Sequence, residues 1–380
     1  MSTLRVNSIR HSGGTSDAIT ITSDNTCTAN VTNNLSNRNL ILNGAMEVSQ
    51  RGTSKAGTGY IIDRYKVGGA SSVIAYTQSQ STHAPTGFDK SLRVEITTAG
   101  TPASGDYTSI TYKIEDRDMQ HLLNGTSGAK KVTISFWVSS PKTGNHVVNI
   151  YKAQNTTRQI AKTYSVSAAN TWEKKTITFD GDTSGGGITN NGSFGYEINW
   201  VLFVGSNFNT SSANDTWANY ADGGFGYGHA VNVGDSTSNN FYITGIQCEV
   251  GEYASEFEYM SYNDTLRKCQ RYYEKTYGQT AAPGTATWSG SVYSRDGTAS
   301  AVNRYIPYSF KVTKRATPNI TVYAPGTGAS GKLNLGSSVY NASLSSYNDN
   351  STMVYATGTG QTIPSHYDTS FHLVIDAEYS

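Results

Sequence analysis

Charge is scarce in this chain of 380 residues: only 15% are Asp, Glu, Lys or Arg, and 29 basic side chains nearly cancel 28 acidic ones. So balanced a surface carries no electrostatic footprint for a nucleic-acid backbone or an anionic membrane. It predicts partners that are neutral, or other proteins. Cysteine is also rare. Cys27, Cys248 and Cys269 are odd in number and far apart, which argues against a disulfide framework or a close-spaced zinc site and leaves reduced, packed thiols. Long apolar runs are missing as well. Residues 1–30 hold no leader-like apolar core, and no window approaches the roughly 18 consecutive apolar residues of a membrane span. The expectation is a protein made and assembled in a cytoplasm, with no membrane insertion.

What the chain does have is Gly (38) and Tyr (26) with few prolines (8), a composition of ordered β-structure with many turns. Its length predicts two or three folded units at about 100–200 residues each. Residues 1–38 read as short extended pieces with too few apolar side chains to close a core, a segment for attachment and oligomerisation. From about residue 39 several runs alternate with period two. Leu92, Val94 and Ile96 share a face, as do Ile110, Tyr112 and Ile114; Val132, Ile134, Phe136 and Val138; and Tyr242, Thr244, Ile246, Cys248 and Val250. Polar turns separate them and helical periodicity is absent, so an all-β jelly-roll sandwich over 39–260 is predicted.

One run breaks the pattern. In SYNDTLRKCQRYYEKTY, Asn263 or Asp264 can cap a helix, and Leu266, Cys269 and Tyr273 recur at i, i+3, i+7. A linker helix within 261–275, docked on the sandwich, is expected to hand the chain to a smaller β-domain at 276–380 that ends in a paired C-terminal strand.

Motifs that could carry chemistry are incomplete. GTGASGK (326–332) resembles a phosphate loop, but Leu333 stands where Ser or Thr should hold Mg²⁺ and no helix pattern follows, so a Gly-rich hairpin loop is predicted. DGDTSG (180–185) has half of a calcium loop, yet its twelfth position is Asn191 rather than Glu. The seven histidines show no metal-hydrolase spacing, and no G-x-S-x-G elbow occurs. Glu115, Asp116 and Asp118 cluster in sequence without a glycosidase geometry that a sequence can show. No catalytic residue, metal or cofactor is assigned.

NLILNGAMEVSQRGTS (39–54), YIIDRY (60–65), KKVTISFWVSS, NTWEKKTITFDGDTSG, STSNNFYITGIQCEVGEYASEFEYMSY and LRKCQRYYEK together resemble bacteriophage tail-fibre and receptor-binding proteins, especially those of marine phages. The resemblance spans most of the chain. It implies a middle region similar to carbohydrate-binding-module jelly rolls, an N-terminal virion-attachment piece, a distal C-terminal β-domain and a place on the virion tail. It also raises a structural calcium, for which Glu47 and Glu249 are the candidates. In TWANYADGGFGYGH (216–229), Trp217, Tyr220, Phe225 and Tyr227 sit among glycines. These rings either stack on sugar faces of a host-surface glycan or receptor, or fold over the sandwich edge. Three functions follow: a non-enzymatic tail fibre, a capsid-decorating or adaptor protein, and a surface-polysaccharide depolymerase. A homotrimer bound to other virion proteins through residues 1–38 is expected, because fibres close by rotational symmetry.

Overall fold

The computed structural model describes residues 6–10, 12–15, 17–21, 23, 27–29, 37–210, 215–295, 305–357 and 368–379. The chain is an all-β protein. It opens with β1 (Ser8–Ile9), β2 (Ile19–Ile21) and β3 (Cys27–Ala29), which pair antiparallel in sequence order.

The strands that follow are β4 (Ser54–Ala56), β5 (Gly59–Tyr60), β6 (Tyr65–Ala70), β7 (Ala75–Ser81), β8 (Ser91–Thr98), β9 (Tyr107–Glu115), β10 (Val132–Ser139), β11 (Gly144–Lys152), β12 (Arg158–Val166), β13 (Glu173–Phe179), β14 (Phe194–Val204), β15 (Ala218–Asn219) and β16 (Asn240–Val250). They form two antiparallel sheets, in the orders β13-β10-β16-β8-β7-β4 and β15-β12-β11-β14-β9-β6-β5. Neighbours that are distant in sequence make this a jelly-roll sandwich. The inner faces supply one core. Leu92, Val94 and Ile96 from β8 meet Ile110, Tyr112 and Ile114 from β9, with Ile134, Phe136 and Trp200 fully buried between them.

One predicted face is corrected. The core members of β16 are Phe241 and Ile243, then Ile246 and Cys248, so the alternation slips by one residue and Tyr242 turns outward. The cause is a bulge: β16 pairs Gln247 with Ser135 but Thr244 with Trp137. Gly245 sits in it at φ +61, and a Cβ there would lie 2.7 Å from the Phe88 ring. A bulge of this kind re-aims every side chain beyond it.

The helix is also shorter than expected. α1 (Tyr262–Gln270) starts at Ser261, whose Oγ accepts from Asp264 N at 3.2 Å, and not at Asn263 or Asp264. It buries Thr265, Cys269 and Gln270, while Leu266 is only half-buried. Tyr273 lies beyond its end in β17 (Tyr273–Lys275), because Tyr272 and Tyr273 favour extended chain and β17 finds an open strand edge to pair with.

That edge belongs to the C-terminal strand. β18 (Val292–Arg295), β19 (Ile306–Ser309), β20 (Asn319–Tyr323), β21 (Lys332–Leu335), β22 (Ser338–Ser345), β23 (Ser351–Thr357) and β24 (Asp368–Asp376) complete a second, smaller β-unit. β24 is its spine, pairing antiparallel with β17, β18, β20 and β21. The glycine-rich GTGASGK stretch joins β20 to β21 as a loop, and Leu333 enters the small core with Phe371, Leu373 and Ile375.

A buried polar cluster bolts the two units together. The Arg64 guanidinium pairs with Glu378, donates to Lys113 O, and lies 3.5 Å from the Tyr272 ring centroid and 5.1 Å from that of Tyr112. Beside it, Arg271 holds Glu115 through two hydrogen bonds of 2.6 and 2.9 Å, and Tyr272 Oη donates to the same carboxylate at 2.8 Å. Gln50 Nε2 donates to Tyr273 O at 2.7 Å, and Tyr60 Oη to Tyr379 O at 2.8 Å. Arg64 adopts φ +77, a left-handed conformation rare outside glycine that only such over-determination maintains.

Removing one member of a buried ion pair strands the other in a dry site. Arg64→Met is therefore expected to cost about 3–5 kcal/mol in chemical denaturation of the full chain. Arg64→Met combined with Glu378→Met should cost clearly less than the two single costs added together. Additive losses would contradict the clamp.

Candidate functional site

The seven-stranded sheet has its core side filled, so its other face decides what it can hold. Because Ile198 and Trp200 point inward, Glu197 and Asn199 of β14 point to the other face, and the same parity turns Ser109, Thr111 and Lys113 on β9, Tyr151 on β11 and Lys66 on β6 to it, with Ser109 and Asn199 buried beneath its rim. Registry sets them in two rows. One runs Asn149, Asn199, Thr111, Lys66 and the other Gln159, Tyr151, Glu197, Lys113.

The glycine-rich loop after β14 covers one end of this face. Phe225 packs on the outward-facing Val147, Ala161 and Val201, with Tyr107 and Phe208 around it. The Tyr107 centroid lies 4.7 Å from Phe208 and 5.3 Å from Phe225. Tyr220, 37% exposed, meets Tyr151 edge to face at 5.2 Å. What remains open is a groove of about 330 Å³ with rings at one end and hydrogen-bonding groups along its floor.

The floor is pre-ordered. Ser109 and Thr111 hydroxyls donate to Asn199 Oδ1 at 3.1 and 2.7 Å, and Asn199 Nδ2 donates to Glu197 Oε1 at 3.1 Å. Glu197 Oε2 lies 3.5 Å from Lys113 Nζ. Burial pulls the Lys113 pKa down despite that carboxylate, and burial followed by Asp222 pushes the Tyr220 hydroxyl up. At neutral pH the groove thus offers a neutral phenol and a fixed amide and hydroxyl row.

The four aromatic residues singled out in the sequence separate. Tyr220 and Phe225 line the groove. Trp217 does not: its Nε1 donates to Asp180 O at 2.6 Å, its ring stands 5.5 Å from Tyr196, and it packs against the main core. Tyr227 is half-buried and lines none of the groove. Tyr107, Tyr151 and the polar rows escaped the sequence reading, since they converge only through the order of non-consecutive strands. Their signal is the polar half of each alternating run.

The other candidates are structural. Asp182 of DGDTSG is buried between Lys152 at 2.8 Å and Arg158 at 2.9 Å. Glu115 belongs to the clamp, and Asp116 caps the loop at Asn191 N and Gly192 N (3.1 and 3.0 Å). Glu249 accepts from Ser255 N and Oγ at 2.7 Å each and from Gln247 Nε2 at 2.9 Å, while Glu47 lines a cavity that does not include Glu249, so the two do not assemble a calcium cage. Among the described residues no group of three or more metal-ligating side chains gathers. Cys248 and Cys269 are free and buried, and burial pushes the Cys248 thiol up to about 12. No described helix is long and apolar enough to cross a membrane.

A scan of family models finds none that matches the chain, and a search of curated proteins finds no match either. Among solved structures, the chain is similar to the enzymatically active domain of bacteriophage CBA120 tailspike protein 4, at 12% identity and TM-score 0.29, over 56% of this chain and 22% of that one. It is also similar to a structure described as "CBM4 structure and function" (12%, TM-score 0.28, 55% and 98%). A third is the family 11 carbohydrate-binding module of the cellulosomal cellulase Lic26A-Cel5E of Clostridium thermocellum (13%, TM-score 0.25, 53% and 91%).

Two histidines beside the loop give the unit an acid sensitivity. Burial holds the His146 pKa down to about 4 and, with His146 as neighbour, that of His229 down to about 3. Both are neutral in the fold, whereas an unfolded histidine takes a proton near 6.5. Stability is therefore complete above about pH 6.5 and lost as pH falls towards 4, by up to about 1.4 kcal/mol per pH unit for each histidine. Urea midpoints measured from pH 7.5 to 4.5 should fall less steeply in His229→Gln than in the unaltered chain, and parallel profiles would contradict this.

Proposed function

We propose that the chain is a glycan-binding structural protein of a phage virion, a tail fibre that holds host-surface polysaccharide without cleaving it. One observation carries the reading. Tyr151 and Tyr220 stand in the same groove as the Asn199, Thr111 and Glu197 row, so rings able to cover the apolar face of a sugar adjoin groups able to bond its hydroxyls. The nearly balanced net charge favours a neutral or weakly charged glycan. The tail-fibre part rests on the long stretches that resemble such proteins. Several of them, SQRGTS, YIIDRY and CQRYYEK, are the segments that build the clamp, which suits a scaffold shared by proteins with different ligands.

Assembly into a homotrimer, attached to other virion proteins through residues 1–38, completes the proposal. The C-terminal sheet supports it, since Val292, Tyr340 and Leu344 pack only partly covered on its small core. Light scattering is expected to give three times the 40.9 kDa chain mass; a single chain mass at micromolar concentration would sink the trimer.

Binding is tested by retention on host surface polysaccharide in affinity electrophoresis. Tyr220→Ala and Tyr151→Ala should each weaken it about tenfold or more, as anchoring rings in small interfaces do. Trp217→Ala should instead lower stability and leave retention in the folded fraction. No reducing ends should appear on incubation; their release would establish a depolymerase.

A further inference from the structure

A second concavity of about 420 Å³ shares no lining residue with the groove and lies where residues 39–47, 87–89 and 257–265 meet. Three rings in mutual contact line it. Phe88 and Phe257 stand edge to face at 5.1 Å, as do Phe257 and Tyr259 at 4.9 Å, while Phe88 and Tyr259 lie tilted at 32° with centroids 5.6 Å apart. Tyr259 Oη donates to Gly87 O at 2.7 Å, which fixes a ring that is otherwise 63% exposed. Tyr262, 45% exposed, adds a fourth aromatic side chain.

The charges lining it have one sign. Glu47, Asp89 and Glu258 line the cavity, and among the described residues no Lys, Arg or His does, whereas the groove and the two other described concavities all contain lysine. Glu258 is engaged, accepting from Asn37 N at 2.6 Å and Asn39 N at 2.9 Å. The carboxylates of Glu47 and Asp89 have no hydrogen-bond donor and no ion-pair partner among the described residues. They also act on each other: burial first and Asp89 second push the Glu47 pKa up, with Lys90 opposing.

Carboxylates without partners beside aromatic rings define a chemistry. A bare divalent ion fits poorly, because it takes six or more oxygen ligands and ring faces supply none. A neutral sugar would leave the two repelling carboxylates uncompensated. An organic cation meets both features, since ring faces attract it through their quadrupole and the carboxylates neutralise it. From this geometry we infer that the pocket is a second binding site, specific for a protonated amine or quaternary ammonium group. An amino sugar without its acetyl group and a choline-type substituent are the two carriers of that chemistry.

Titration calorimetry of the full-length chain with glucosamine, choline, N-acetylglucosamine and calcium chloride tests it. Glucosamine, choline or both should bind in the millimolar range, and N-acetylglucosamine, which has lost the charge, should not. Binding of glucosamine alone identifies an amino sugar as the carrier, and binding of choline alone a quaternary ammonium. Tyr259→Ala and Glu47→Gln should each weaken the cation about tenfold, the scale of one cation–ring or charge contact. Asp89→Asn, at an exposed position, serves if either variant loses its native circular dichroism. The inference is overturned if neither organic cation binds, if N-acetylglucosamine binds equally well, if calcium alone binds, or if folded variants bind as the unaltered chain does.

Discussion

The Arg64 guanidinium ties the sandwich to the C-terminal sheet. It is buried between the Tyr112 and Tyr272 rings and paired with Glu378, so it joins the segment before β6, the exit of α1 and the end of the chain at one point. A buried charge tolerates no loss of partners. The sandwich and the C-terminal sheet must therefore close dry against each other, and Glu115, Arg271, Gln50 and Tyr379 complete the seal. The same guanidinium donates to Lys113 O on β9, whose outward side chain ends the groove floor. Packing at the clamp thus fixes the strand that presents the site.

Much of the fold was legible because burial imposes period two on a strand. The runs at 92–96, 110–114 and 132–138 each placed their apolar side chains in one core. The reading failed where local geometry overrode the period. At Gly245 a bulge slipped the phase of β16, and nothing in the alternation marked it. The helix pattern ran on to Tyr273, but pairing with β24 took those residues into a sheet. Pairing across more than ninety residues leaves no local trace.

The site was half legible. A ring-rich, glycine-rich loop is unusual and draws attention to Tyr220 and Phe225, which line the groove, but equally to Trp217, which packs beside Tyr196. Sequence shows that an aromatic is present and not which way the loop turns it. Asn199, Thr111 and Glu197 are ordinary polar residues until the strand order β11-β14-β9 sets them side by side. Nor does the overall charge balance describe the surface. Acids line the pocket of aromatic rings, while in a larger hollow near α1 Arg38, Arg117, Lys130, Lys268 and Arg271 outnumber Glu115 and Asp118.

On the proposed reading, glycan sits on the outer face of the seven-stranded sheet. The decisive experiment is a crystal structure of the full chain soaked with an oligosaccharide cut from a retaining host polysaccharide. The expected result is a sugar ring against Tyr151 or Tyr220, with its hydroxyls bonded to Asn199, Thr111 or Glu197. An oligosaccharide bound on the C-terminal sheet, with the groove empty, would contradict it.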